Sequence, residues 1–211
     1  MNLNSRKTST YLIAAIGAAF LAIILFTQMA SNPSSYAARV AQTREQKDLS
    51  FKNDPDSPLP REQKAAFRGL RYFQPDESYR VEATYRPFER QDTLRLMTNT
   101  GEIRPMLRAG MLAFTLQGRP CEVLVFRYLE PERSNTFFIP FKDLTSGVST
   151  YAGGRYLDIA AREPFFLDFN EAYNPYCVYN DSYTCPFPPR ENLLPLEIRA
   201  GELDYRSRVV K

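Results

Sequence analysis

The chain has 211 residues, with 27 Lys+Arg, 24 Asp+Glu and no histidine; Arg6, Lys7 and Arg39 are the only charges in residues 1–40, which leaves 24 basic against 24 acidic residues beyond them. A neutral body lacks the basic surface that phosphate-backbone binding requires, so nucleic acid is not an expected partner. The absence of histidine removes Ser-His-Asp and Cys-His catalysis, His-ligated zinc and an imidazole pH switch. With 13 Tyr, 15 Phe and 44% hydrophobic residues, a body of about 170 residues has enough apolar surface for one domain with its own core.

Arg6 and Lys7 precede sixteen uninterrupted apolar residues, 11–26 (YLIAAIGAAFLAIILF), and no charge falls between Lys7 and Arg39. Carried on to residue 30, the run makes a helix of about 30 Å, close to the thickness of a bilayer core. The choice is between a signal anchor and a secretory leader. Small-x-small cleavage sites are poor here. Gln28-Met29-Ala30 has a bulky first residue, and Ser35-Tyr36-Ala37 lies far from the apolar run. That favours an anchor, or an uncleaved leader, over residues 11–30. Residues 1–10 are then a cytoplasmic tail and the body lies in the periplasm or outside the cell, a single-pass membrane protein.

Residues 36–49, rich in Ala, Arg, Gln, Glu and Lys, predict a polar helix in a linker spanning residues 31–50. Asn53-Asp54-Pro55-Asp56-Ser57-Pro58 breaks the chain, and a second short helix is expected over 61–67, ended by Gly69. Beyond that the pattern is β. Short runs at 78–84, 93–97, 103–107, 111–117, 121–128, 137–141, 155–159, 164–169 and 193–199 are separated by Gly, Pro or Asn. In residues 111–117, Leu112, Phe114 and Leu116 share one face of a half-buried strand. Tight turns are expected at Ala109-Gly110 and at Gln117-Gly118-Arg119-Pro120. The expected fold is therefore mainly β: one domain over 51–211, an antiparallel barrel or sandwich of nine or ten strands after two short helices.

Three segments carry candidate chemistry. Residues 140–156 form a loop of hydroxyls, glycines and paired charges without the spacing of a phosphate-binding loop. It is read either as a structural loop or as a polar pocket with Lys142 and Arg155 facing an anion. In residues 167–175, Asp168 and Asn170 leave a strand on one face; an acid/base or calcium role for Asp168 with Glu171 lacks supporting spacing. Cys177 and Cys185 bracket seven residues, and a hairpin about Asp181 would set them opposite each other at disulfide range. Outside the cytoplasm a disulfide is the favoured state. The spacing is not the C-x-x-C of a thiol oxidoreductase, and zinc would need two further ligands. Cys121 reads as a buried, inert thiol, and residues 186–192 (PFPPREN) as a stiff connector. No cofactor and no metal site is expected.

Taken in order, residues 51–59 (FKNDPDSPL), 67–73 (FRGLRYF), 145–147 through 154–157, 168–175 (DFNEAYNP) and 185–192 (CPFPPREN) resemble the family catalogued as domain of unknown function 1684. The likeness runs from about residue 44 to residue 202 and departs from the family pattern at Ser149 and Tyr176. It implies a common fold and a common site but supplies no substrate.

The expected function is a membrane-anchored extracytoplasmic module that binds a small polar or anionic ligand or an envelope partner. The candidate ligand-binding residues are Lys142, Asp143, Thr145, Tyr151, Arg155, Asp168, Asn170, Tyr173 and Asn174; the aromatic rings of Tyr151, Tyr156, Phe169 and Tyr173 interleave with these polar groups. Two other readings stand beside it. One is a structural envelope protein. The other is a histidine-free enzyme with Asp168 or Glu191 as base and Lys142 or Arg155 stabilising negative charge.

Overall fold

Alternation of apolar and polar residues builds seven antiparallel strands in the computed structural model, which describes residues 35–205 except 91, 131, 132 and 134. They are β1 (Arg80–Pro87), β2 (Thr93–Met97), β3 (Ile103–Leu116), β4 (Arg119–Arg127), β5 (Thr136–Phe141), β6 (Arg155–Ala160) and β7 (Phe165–Asp168), in the sheet order β6-β5-β4-β3-β1-β7 with β2 on β3. The two ends of that order, β6 and β7, lie against one another, so the sheet is nearly closed and barrel-like. Just beyond β7, Tyr173 bridges Tyr156 of β6 through a reciprocal pair of backbone bonds of 2.8 and 2.9 Å.

β3 carries the sheet. It pairs with β4 along most of its length on one side, and with β2 and then β1 on the other. Two separate strands and a turn at Ala109-Gly110 were the expectation; the chain instead runs straight through with a bulge between Arg108 and Gly110. A Cβ on Gly110 would meet the Arg86 carbonyl oxygen at 2.3 Å and the Tyr85 ring at 2.7 Å. The glycine therefore serves close approach of β1 rather than chain reversal. The expected turn at Gln117-Gly118 does form, with φ of 51° and 74°, the two positive values a tight hairpin needs.

The two faces of the sheet carry separate clusters. Val123, Val125, Phe137, Ile139, Phe141 and Leu157 pack with Leu112, Phe114 and Leu116 in the larger core. Their neighbours Leu124, Phe126, Phe138 and Tyr156 face the other way, with Met106, Cys177 and Cys185. That is the period of two written directly into packing.

Helix α1 (Tyr36–Asn53) is longer than expected, and α2 (Arg61–Lys64) shorter. The described residues from Val40 onward form one compact unit, which includes α1 from Val40 on. Within it Arg44 donates to the Phe73 and Asn170 carbonyls, and Lys47 Nζ lies 2.5 Å from the buried Glu202 carboxylate. Asp48 accepts from the Leu70 N–H at 2.9 Å, and Phe51 packs edge-on to Tyr179. The expected anchor at residues 11–30 lies outside the described residues. Among the described residues no helix is long and apolar enough to cross a membrane.

Residues 193–199 alternate as a strand would, with Leu194, Leu196 and Ile198 buried and Leu193 exposed, yet they join no ladder. Their backbone partners are elsewhere. Just past β5, around a single parallel bridge between Lys142 and Leu193, the Lys142 N–H donates to the Asn192 carbonyl and the Leu194 N–H to the Lys142 carbonyl, while the Leu144 N–H donates to the Leu196 carbonyl. The Ile198 N–H donates to Asp143 Oδ2 at 2.7 Å. Arg155, with no exposed surface, donates to the carbonyls of Ile198, Ala200 and Glu202. Its guanidinium also pairs with Asp143 at 3.4 Å, both side chains fully buried. One arginine thus replaces the N–H row of a missing neighbouring strand. Asn192 does similar work where β4 and β5 pair at only two positions: its amide exchanges bonds of 2.7 and 2.9 Å with the Leu124 backbone and donates to the Pro140 carbonyl at 2.7 Å.

Removing one partner of a buried, hydrogen-bonded pair leaves the other charge uncompensated, at about 3–5 kcal/mol. Arg155→Met is therefore expected to lower the unfolding free energy by about that much in urea titrations. Arg155→Lys should recover only part of it, because an ammonium cannot span three carbonyls and a carboxylate. A loss below about 1 kcal/mol for Arg155→Met would show that this network does not hold the C-terminal segment.

Candidate functional site

The side chains singled out in the sequence fall into several places. Asp143, Thr145 and Arg155 are together in the interior. The Asp143 carboxylate accepts from Thr145 Oγ1 at 2.8 Å and from Ser146 Oγ at 3.3 Å as well as from Arg155 and Ile198, and the Thr145 and Thr150 hydroxyls lie 2.9 Å apart. Burial pulls the Arg155 pKa below its ordinary value, and the Asp143 carboxylate opposes that. Guanidinium remains charged under any ordinary condition, so the pair is ionic. Asp168 caps the short turn at Asn170, whose side chain in turn bonds both ways with the Asp76 backbone at 2.8 and 2.9 Å. The Asn174 N–H donates to Glu202 and its amide to the Leu203 carbonyl. Lys142 and Tyr151 are half-buried in the loop between β5 and β6, the loop that also carries Asp143 and Thr145. Tyr173 stands apart from the rest, because it faces a large cavity.

That cavity, about 800 Å3, lies on the second face of the sheet, beneath the chain from Tyr173 to Pro186. Its size falls within the range of about 300–1,000 Å3 typical of small-molecule sites. Five tyrosines line it, Tyr128, Tyr156, Tyr173, Tyr176 and Tyr183, with apolar surface from Met106, Phe138 and Leu129. β6 sets the floor: Tyr156 and Asp158, two apart, leave the strand on one face. The Tyr156 hydroxyl donates to the Pro186 carbonyl at 2.6 Å and ties the covering segment down.

Asp158 is the polar centre. Tyr128 donates to one of its oxygens at 2.9 Å; Tyr173 and Arg133 reach the other at 2.8 and 3.1 Å. The Arg133 guanidinium also sits 3.2 Å from the centre of the Tyr128 ring, and Lys47 lies 4.8 Å from that of Tyr173. Burial first, and then the Asp158 charge, push the Tyr128 and Tyr173 hydroxyls above the ordinary phenol range. Both therefore stay neutral donors at physiological pH. Lys47 is neutralised by Glu202 and Arg133 by Asp158, whereas Arg104 forms no ion pair among the described residues. The arrangement offers aromatic surface, apolar patches and one cation with its charge uncommitted.

The three cysteines are unbridged thiols, and the hairpin expected about Asp181 does not form. Pro175 starts a single 3-10 turn, Tyr176–Val178, that takes Cys177 into the interior. Cys185 belongs to a separate irregular stretch pinned by Asn99. Its N–H donates to Asn99 Oδ1 at 2.6 Å, and its carbonyl accepts from the Asn99 N–H at 3.1 Å. The Cys177 N–H meets the Cys185 sulfur at 3.4 Å, so the two residues are neighbours through turn geometry and not as cross-strand partners.

The family model for a protein of unknown function, DUF1684, matches residues 65–203. The chain belongs to the DUF1684 family. The matched span includes every residue of the cavity lining except Lys47. The chain is also similar to an uncharacterised protein of Haloarcula marismortui solved by solution NMR. The two share 37% identity over 78% of this chain and 92% of that one, with a TM-score of 0.62. No curated protein matches the chain.

Sequence reasoning missed Arg104, Tyr128, Arg133, Asp158 and Tyr183. One signal was available: Tyr156 and Asp158 share a face of the expected strand at 155–159, a carboxylate beside an aromatic ring on a sheet surface.

Tyr128, Tyr156, Tyr173 and Tyr179 all have pKa values raised above 10, burial being the first cause in each. In the unfolded chain a phenol ionises near 10. Their contribution to stability is therefore intact below about pH 10 and is lost as the pH climbs past it, because the unfolded state then sheds protons that the folded state keeps. Ultraviolet titration should show these four ionising only together with unfolding. Reversible ionisation of all 13 tyrosines near pH 10 in the folded chain would contradict it.

Proposed function

We propose that this DUF1684 protein is a membrane-anchored, extracytoplasmic binding module that holds a small aromatic anion in the cavity beneath residues 173–186. The anchoring rests on the charge-free apolar run at residues 11–26 behind Arg6 and Lys7. The ligand class rests on a single observation: a cavity of about 800 Å3 lined by five tyrosines, with Arg104 at its wall. Tyr176 and Tyr183, in edge contact at 5.3 Å, present ring surface for stacking. The hydroxyls of Ser182 and Thr184 supply hydrogen bonds for orientation. Asp143, Arg155, Asn170 and Asn174 support this reading indirectly, since their polar groups are engaged in holding backbone and the C-terminal segment in place.

Native mass spectrometry of the full chain, extracted gently from membranes, tests the proposal. A non-covalent adduct is expected that disappears on denaturation, and Arg104→Ala with Tyr183→Ala should cut its occupancy at least about tenfold, the loss of about 1.4 kcal/mol of binding. The wild-type chain should also be stabilised by millimolar aromatic carboxylates in thermal melts. Absence of both the adduct and any carboxylate-dependent shift would overturn the binding reading.

A further inference from the structure

The spacing of Cys177 and Cys185 argues against thiol exchange, but the folded chain gives the two sulfurs different and complementary surroundings. Cys185 lines the cavity; Cys177 does not, and is 2% exposed behind it. The Cys185 sulfur accepts the Cys177 backbone N–H at 3.4 Å, and the neighbouring Cys177 thiol also favours its thiolate form. Asn99 fixes the Cys185 backbone on both sides, so the sulfur has little freedom to turn away. A sulfur that accepts a backbone N–H, sits beside a second thiol and faces a cation carries negative charge readily. The Cys185 pKa accordingly falls to about 7, the Cys177 thiol being the largest cause and Arg104 a smaller one, against burial, which pushes it up. Cys121 behaves oppositely: burial raises its pKa.

A thiolate at a cavity wall, backed by a more deeply buried donor thiol, is the arrangement that dithiol exchange needs. We propose that Cys185 and Cys177 form an exchangeable dithiol that reduces a small anionic disulfide admitted through the cavity. The Cys185 thiolate attacks one sulfur of the disulfide, forming a mixed disulfide and expelling the other half as a thiolate. That thiolate takes the proton of Cys177. The Cys177 thiolate then attacks the Cys185 sulfur, closes the Cys177–Cys185 bond and releases the second half as a thiolate, which takes up the proton that Cys185 had lost to solvent. In total the protein loses two hydrogens and one disulfide becomes two thiols. The proposal uses the same cavity as the binding reading for access only, and requires no other ligand to be retained there.

Oxidised glutathione is a suitable anionic probe. The reduced full chain is incubated with it, quenched in acid, alkylated and weighed. The expected product has one alkylatable cysteine, Cys121, and two equivalents of reduced glutathione are released; this readout needs no variant to fold. Cys177→Ser should stop at the mixed disulfide on Cys185, and Cys185→Ser should leave the probe unreacted. The rate should rise about tenfold between pH 6 and pH 8, as the thiolate fraction of a group with a pKa near 7 does. Three alkylatable cysteines after long incubation, or exchange at Cys121 as fast as at Cys185, would overturn the proposal. A chain that is stabilised by aromatic carboxylates but leaves the probe intact refutes the dithiol alone. One that exchanges but retains no carboxylate upholds the dithiol and refutes the binding reading.

Discussion

A guanidinium without exposed surface, that of Arg155, holds the C-terminal segment against the barrel. The segment has every reason to be there: Leu194, Leu196, Ile198 and Ala200 are all buried in the main core, and each large side chain contributes about 1.5–3 kcal/mol on burial. Its difficulty is the backbone, since carbonyls drawn into an apolar interior must find donors. No strand of the sheet pairs with Ile198 or Ala200, and Glu202 pairs only through an isolated bridge to Tyr72. Arg155 reaches all three carbonyls from the first residue of β6, and Asp143 balances its charge while accepting the Ile198 N–H. Gly154, just before it, has φ of +98°, and a Cβ there would meet the Phe141 carbonyl oxygen at 2.6 Å. The turn that delivers Arg155 to its place therefore depends on glycine as well.

The same device recurs on a smaller scale. Asn192 pairs with the backbone of Leu124 and Pro140, Asn170 with that of Asp76, and Asn99 with Tyr183 and Cys185. Each brings a side-chain amide, which has the donor and acceptor of a peptide group, to a place where the ladder stops. The outcome is a barrel whose irregular segments are tied to it by side-chain amides bonded to backbone. Those ties matter for the cavity, because its cover, residues 173–186, contains only one short helical turn. Tyr156 through Pro186, Asn99 through Cys185, and Tyr173 through its bridge to β6 keep the cover at a set distance from the floor.

Glu202 links the two regions. Its carboxylate, 1% exposed, accepts from Lys47, Tyr179 and the Asn174 N–H, so it joins α1, the end of the cysteine-bearing segment and the C-terminal stretch at one point. Lys47 in turn lies over the Tyr173 ring at the cavity wall. The α1 helix, polar in composition, is thus placed by its charges more than by an apolar stripe: only Val40 and Phe51 of its 18 residues are buried.

The mainly β class, the β3–β4 hairpin turn, the strands at 93–97 and 155–159 and the family resemblance could all be read from residues alone, because period-two alternation and turn chemistry are local properties. Locality also explains the errors. Residues 193–199 alternate as well as any strand, and nothing within them reveals that their partners are a short stretch just past β5 and the side chains of Arg155 and Asp143 rather than another strand. Ala109-Gly110 carries the composition of a turn, and only the approach of β1 shows it to be a bulge. Asp143, Thr145 and Arg155 were legible as a polar group, but not as one turned inward. The sequence by itself determined which residues alternate, where the chain reverses and which cysteines are close in number. Tertiary structure alone decided that Tyr128, Tyr156, Tyr173 and Tyr183 surround one cavity and that Cys185 faces it with Cys177 behind. Those contacts join residues tens of positions apart, and they form only because a nearly closed sheet leaves one face for an irregular segment to cover.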